Sequence, residues 1–240
     1  MDLRANQHDW GYLTTKTLGK ETLVYAQVLN WPLDRILRIS GIKSTPSHIS
    51  TRIGATETNL KFEQKSGLLH INLPAKQTDP FVSTISLTYE GPLRLDKDIV
   101  AESTFGGFAL NSTNALNQGK LQITQYDGKK PQHIHTKDEA IEWEIDFPKV
   151  GVYKVDVSAH NPNQVATAIS IQIGSQYVSG KLDPHGKMVV EPNENNYTDE
   201  FVNTNLGIIK IDHTGRQKIK FQKNGSKQLW LNSIWIEENN

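Results

Sequence analysis

The stretch AIEWEIDFPKVGVYKVDV, residues 140–157, carries the clearest architecture in the chain. Ile141, Trp143, Ile145 and Phe147 alternate with Glu142, Glu144 and Asp146, the period of two of a strand with one buried and one wet face. Pro148, Lys149, Val150 and Gly151 interrupt the run, after which Tyr153, Val155, Val157 and Ala159 repeat it. Two such strands around a short break read as a hairpin, and a sheet grows from it. Trp143 then faces the core, while Glu142, Glu144 and Asp146 share a solvated face, because acids are rarely buried.

Working outward, the same grammar recurs. ETLVYAQVLNW, residues 21–31, is almost continuously apolar and β-branched or aromatic, which predicts a central strand covered on both faces and stopped by Pro32. Short strands follow at 36–39, 49–53, 60–62, 68–73 and 82–89, punctuated by Asp34, Gly41, Gly54, Gly67 and Asp79-Pro80; residues 1–15 read as a polar lead-in. Downstream, strands are expected at 121–126, 169–173, 208–211, 218–222 and 229–236. The last two flank Asn224-Gly225, a pair suited to a type I′ hairpin turn because both central residues take positive φ. In the final strand Trp230 and Trp235 fall on opposite phases, so one of them points away from the core. No helix longer than a turn or two, no heptad and no short repeat is visible. The expectation is an all-β chain of two antiparallel β-sandwich domains in tandem, 1–92 and 98–240, joined by the polar segment EGPLRLDKD at 90–98.

Bulk composition bounds the function. A chain of 240 residues with 36% apolar content builds one large or two medium domains. Lys plus Arg equals Asp plus Glu at 26 each, so no net field recruits nucleic acid or anionic lipid. No run approaches the ~18–20 apolar residues that cross a bilayer, and the first eleven residues lack the apolar centre of a signal peptide. Cysteine is absent, which removes disulfides and thiolate chemistry.

Two resemblances refine this picture. Val28-Leu29-Asn30-Trp31-Pro32-Leu33-Asp34, Ile71-Asn72-Leu73-Pro74, Asp79-Pro80 and Ile85-Ser86-Leu87 fall in order and resemble the C-terminal β-sandwich of family 29 glycoside hydrolases, the α-L-fucosidases, over residues 9–90. That likeness implies an accessory domain beside a catalytic barrel, whose eight strands need ~250 residues and are not expected here. From about Val100, the Ala101-Glu102 pair, Phe147-Pro148 with Gly151-Val152-Tyr153, and Leu231-Asn232-Ser233-Ile234 look like the galactose-binding-like sandwich of carbohydrate-binding modules of families 6 and 35. This second likeness implies a glycan partner carrying galactose or fucose, and a structural calcium whose ligands carry over to Glu102 and Asn232. Asn232 stands where the family has Asp, which keeps an oxygen ligand and loses a charge. The enzyme resemblance further implies a periplasmic or extracellular setting.

No catalytic pair assembles from the sequence. A retaining glycosidase needs two carboxyl groups ~5 Å apart in contrasting environments, and the acids here occupy wet strand phases or loops. His133 and His135 share a strand face at spacing two and could bind a metal with a third ligand such as His160 or His185, though no spacing brings that ligand to them. Sugar recognition uses ring faces with a few amide or carboxylate hydrogen bonds, and Tyr126, Tyr197 and Trp230 are the aromatics with polar neighbours that suit it. The expected role is therefore non-catalytic: stabilising a fucosidase barrel and holding carbohydrate nearby. The competing reading makes both sandwiches purely structural or protein-docking domains.

Overall fold

The computed structural model describes residues 9–65, 67–97, 99–116, 122–125, 131–136, 140–185, 201–225 and 229–239. The chain forms two compact units, Met1–Gly106 and Gly107–Asn240. Every strand pairing is antiparallel, and no helix occurs among the described residues. The all-β, two-sandwich class read from the alternation is the class observed.

The first unit contains β1 (Gly11–Leu18), β2 (Glu21–Val28), β3 (Ile36–Ile39), β4 (His48–Ile53), β5 (Thr56–Asn59), β6 (Phe62–Lys65), β7 (Leu68–Asn72) and β8 (Ser83–Glu90). They form a sheet ordered β1-β2-β8-β4-β5 and a smaller one ordered β3-β7-β6. Val24, Ala26, Val28, Ile85 and Leu87 of the larger sheet share one core with Leu37, Ile39, Leu69 and Ile71 of the smaller. Contrary to the expected lead-in, Gly11–Leu18 is a full strand paired along its length with β2. It lies at the sheet edge with mostly exposed side chains, so it is built from Thr and Lys and carries no apolar alternation to betray it. β2 is central as expected, but only one of its faces is fully buried.

Residues 90–97 pack with the first unit. Leu93 is in its core, Leu95 bridges to Ile42, and the Lys43 amide donates to the Arg94 carbonyl at 2.8 Å. The division between units falls at Gly106–Gly107.

The second unit contains β9 (Phe108–Asn111), β10 (Gln122–Gln125), β11 (Pro131–Thr136), β12 (Ile141–Phe147), β13 (Gly151–His160), β14 (Thr167–Ile173), β15 (Gln176–Leu182), β16 (Val202–Ile211), β17 (Gly215–Lys223) and β18 (Leu229–Glu238). One sheet runs β10-β11-β18-β13-β16, with β9 also on β18; the other runs β12-β17-β14-β15.

Here the founding stretch corrects its own reading. β12 pairs with β17, whereas β13 pairs with β16 and β18, so residues 140–157 are not a hairpin but two strands of opposite sheets. The break at 148–150 carries the chain from one sheet to the other, and the inward faces meet. Phe147 and Tyr153 pack edge to face at 5.2 Å, with Phe108 5.1 Å from Phe147. Ile141, Trp143, Ile145 and Phe147 are fully buried, each such side chain contributing about 1.5–3 kcal/mol by burial alone. The final pair behaves alike: β17 and β18 lie in different sheets. Gly225 has φ 104 but Asn224 does not take positive φ, so the type I′ hairpin expected at Asn224-Gly225 is not formed.

Candidate carbohydrate-binding site

β18 pairs with β13 in two registers, Ser158 with Ser233 and then Ala159 with Leu231, leaving Asn232 as the extra residue of a bulge. A bulge switches the side-chain phase. Leu229 and Leu231 before it and Ile234 and Ile236 after it all face inward, each fully buried. Trp230 and Trp235 therefore both lie on the outer, half-buried phase, whereas strict alternation had put them on opposite faces.

At one end of this face Trp230 stacks on His160, with centroids 5.0 Å apart and planes at 23°. Phe201 also meets this His160 ring, 6.4 Å away and steeply inclined to it. The Asn232 amide reaches the Ser158 hydroxyl at 3.4 Å. Next to the cluster Asn161 fixes the loop after β13. Its amide nitrogen donates to the carbonyls of Leu182 (2.8 Å) and Val165 (3.2 Å), and its oxygen accepts from the Asn163 backbone amide (3.1 Å), the Asn163 side chain (2.6 Å) and the Thr167 hydroxyl (3.3 Å). With both ends of its amide occupied, Asn161 makes a loop scaffold that needs no reordering to present the cluster.

Toward the other end Trp235 donates its indole N–H to Glu237 at 3.0 Å. A Cβ on Gly107, whose φ is 70, would stand 3.0 Å from the Trp235 ring, so the bare backbone there lies close against the indole. Lys154 bridges Asp156 (2.8 Å) and Glu237 (3.6 Å), and the hydrogen bond to Asp156 holds its ammonium above the ordinary lysine value. Asn205 donates to Asp156 at 2.9 Å. This face thus offers two indoles, amides and an ion-pair network. Ring-face stacking and amide hydrogen bonding are within its repertoire.

Of the three aromatics expected to meet sugar, Trp230 is in this cluster, while Tyr126 and Tyr197 lie outside the described residues. Glu102 belongs to the first unit and Asn232 to the second. Among the described residues no group of three or more His, Cys, Asp or Glu gathers to hold a metal ion. His133 and His135 lie on β11, where their side chains are outside the described set. The acidic row of β12 is matched by a basic row on β17: Lys218 meets Glu142 at 2.9 Å and Arg216 meets Glu144 at 2.9 Å. Phe201 escaped the sequence reading, and His160 entered it only as a candidate third metal ligand, because nothing in their spacing shows that they meet Trp230. The jump from 229 and 231 to 234 and 236 in apolar residues was the available sign of the bulge.

Residues 7–88 match the alpha-L-fucosidase C-terminal domain family. The fold of the whole chain is similar to the crystal structure of alpha-L-fucosidase from Vibrio sp. strain EJY3, at 14% identity and a TM-score of 0.54, over 99% of this chain and 41% of that one. The chain therefore spans less than half the length of that fucosidase. A carbohydrate binding module of lichenase 5A from Cellvibrio mixtus, solved with cellotriose, aligns at 11% identity and a TM-score of 0.41 over 55% of this chain and 97% of the module. No curated protein matches the sequence. The fucosidase-type domain anticipated from Trp31-Pro32 and the strand ends that follow it is thus present, in the first unit.

Proposed function

We propose that the chain is an accessory region of an alpha-L-fucosidase-like glycoside hydrolase, non-catalytic by itself. In this reading the first unit supports a catalytic barrel and the second retains galactose- or fucose-containing glycan near it. The observation that carries the reading is the match of residues 7–88 to the fucosidase C-terminal domain. The indoles and amides on the outer face of β13, β16 and β18 support the glycan half, with Trp230 as the contact; Tyr126 and Tyr197 join it as proposed contacts. An extracellular or periplasmic setting follows from the substrate class, and no described helix is long and apolar enough to cross a membrane.

A glycan array probed with the whole chain tests this. Retention of fucose- or galactose-terminated glycans, weakened at least about fivefold by Trp230→Ala, is the expected outcome, because losing one buried or stacked aromatic contact removes upwards of about 1 kcal/mol. The array is repeated with calcium present and chelated, since the resemblance implies a calcium held by Glu102 and Asn232; retention unaffected by chelation removes that ion from the proposal. One observation favours the competing structural reading, namely that one face of the Trp230 ring is already taken by His160. Absence of any retention decides for it.

A further inference from the structure

We propose that the first unit carries a groove of its own that binds the ring of a neutral sugar or similar polyol, walled by Leu33 and Phe105 and lined by Asp34, Arg38 and Glu102. The groove encloses about 270 Å³, close to the ~300 Å³ lower end of small-molecule pockets and suited to one ring rather than a chain. Leu33 is 88% exposed and Phe105 74% exposed, so neither serves the core, while Trp10 below them is 3% exposed.

Both walls are held in place. Leu33 rides a turn closed by the Arg35 amide on the Pro32 carbonyl at 3.0 Å. Arg35 itself has φ 59, a left-handed conformation that non-glycine residues seldom adopt. The Arg35 carbonyl in turn accepts from the Leu73 amide at 2.8 Å. Asp34 accepts the Ile36 amide at 3.0 Å and the Arg38 guanidinium at 2.7 Å. On the opposite side, one oxygen of Asp9 accepts from the Ser103 hydroxyl, the Thr104 amide and the Thr104 hydroxyl at 2.7, 2.7 and 2.8 Å. The Phe105 amide then donates to the Ser103 hydroxyl at 3.1 Å and the Gly106 amide to the Ser103 carbonyl at 3.0 Å. A ligand entering here meets a backbone and an ion pair already held by hydrogen bonds, so little of its contact energy is lost to ordering them.

The chemistry of the walls selects the ligand. Phe105 offers a flat apolar face to the C–H face of a sugar ring, and the carboxylates and guanidinium supply acceptors and donors for adjacent hydroxyls. An anionic ligand is disfavoured, because the Arg38 guanidinium is already paired with Asp34. A wholly apolar ligand is disfavoured as well, since it would strip water from an ion pair and return no hydrogen bond. A neutral polyol ring satisfies both demands.

This groove is independent of the glycan retention proposed for the second unit, and the test separates them. The ¹⁵N-labelled full chain is titrated with L-fucose, D-galactose and D-glucose in turn, following the Trp10 indole N–H and the Thr104 and Phe105 amides. Saturable shifts with a Kd of about 1–10 mM are expected for at least one sugar, the weak scale appropriate to a single ring in a shallow site. Phe105→Ala and Leu33→Ser, both at exposed positions that the fold does not need, should weaken binding at least about tenfold, while Trp230→Ala leaves the shifts unchanged. Signals that stay still up to about 50 mM of every sugar, or shifts undiminished in both groove variants, overturn the proposal whatever the array shows.

Discussion

Tyr89 shows how a single residue can be placed by its ring against the interest of its polar atom. It projects inward from β8, is 1% exposed, and its hydroxyl is buried with no hydrogen-bond partner among the described residues. Burial alone pushes its phenol above the ordinary tyrosine value, with no nearby charge involved. An unmade buried hydrogen bond forfeits about 1–3 kcal/mol, whereas the ring's burial is kept when the oxygen goes. Tyr89→Phe is therefore expected to leave stability unchanged or raise it by up to about 1 kcal/mol, read as the midpoint of urea unfolding at constant slope. A loss of more than about 1 kcal/mol would mean that the hydroxyl has a partner in solution. Nothing in the sequence distinguished Tyr89 from a satisfied core tyrosine, because the position of an acceptor is a tertiary fact.

At the scale of elements, the turn that feeds β8 is built around Asp79. Its carboxylate accepts the amides of Phe81 at 2.8 Å and Val82 at 3.0 Å, and these two bonds, the Val82 one first, hold its pKa below the usual 3.8. A depressed carboxylate pKa stabilises the folded turn at pH above the unfolded value, and that contribution is lost as pH falls through the folded one. The Phe81 and Val82 amide signals should accordingly titrate with a midpoint below 3.8, and Asp79→Asn should abolish the step. A midpoint at or above the ordinary value would show that the two bonds are not kept in solution. The Asp-Pro signal at 79–80 was legible as a turn for this local reason. Strand partners were not. Alternation at 141–147 and 153–159 states which side chains go inward, yet both strands satisfy it equally whether they pair with each other or face each other across a core. The pairing actually made, β12 with β17 and β13 with β16 and β18, places Phe147 against Tyr153, a contact that a hairpin would not need.

For the whole molecule, the question is where one unit ends. Leu93 belongs to the first core and Leu95 to a bridge with Ile42, so a chain cut after residue 92 loses both while one cut after residue 106 keeps them. Burying a leucine contributes about 1.5–3 kcal/mol. Residues 1–106 expressed alone should unfold cooperatively and be more stable than residues 1–92 by about that amount for Leu93, measured by denaturant midpoint on the two fragments. Equal stabilities would place the boundary at the polar segment 90–98 after all. That segment looked like a linker because Gly91-Pro92 and its charges are the composition of linkers, and the two leucines that anchor it are spaced for no periodic element.

The sequence by itself determined the class, the inward face of most strands, the turn at Asp79-Pro80 and the fucosidase-type character of the first unit. These depend on residue chemistry and near-neighbour spacing. Only the tertiary structure decided that Gly11–Leu18 is a strand, that residues 140–157 divide between two sheets, and that the Asn232 bulge turns Trp230 and Trp235 to the same face. It also decided that Leu33 and Phe105 stand over one groove. Each of these is a matter of which distant segment completes a backbone ladder or a wall, and burial constrains a chain's faces far more tightly than it names its partners.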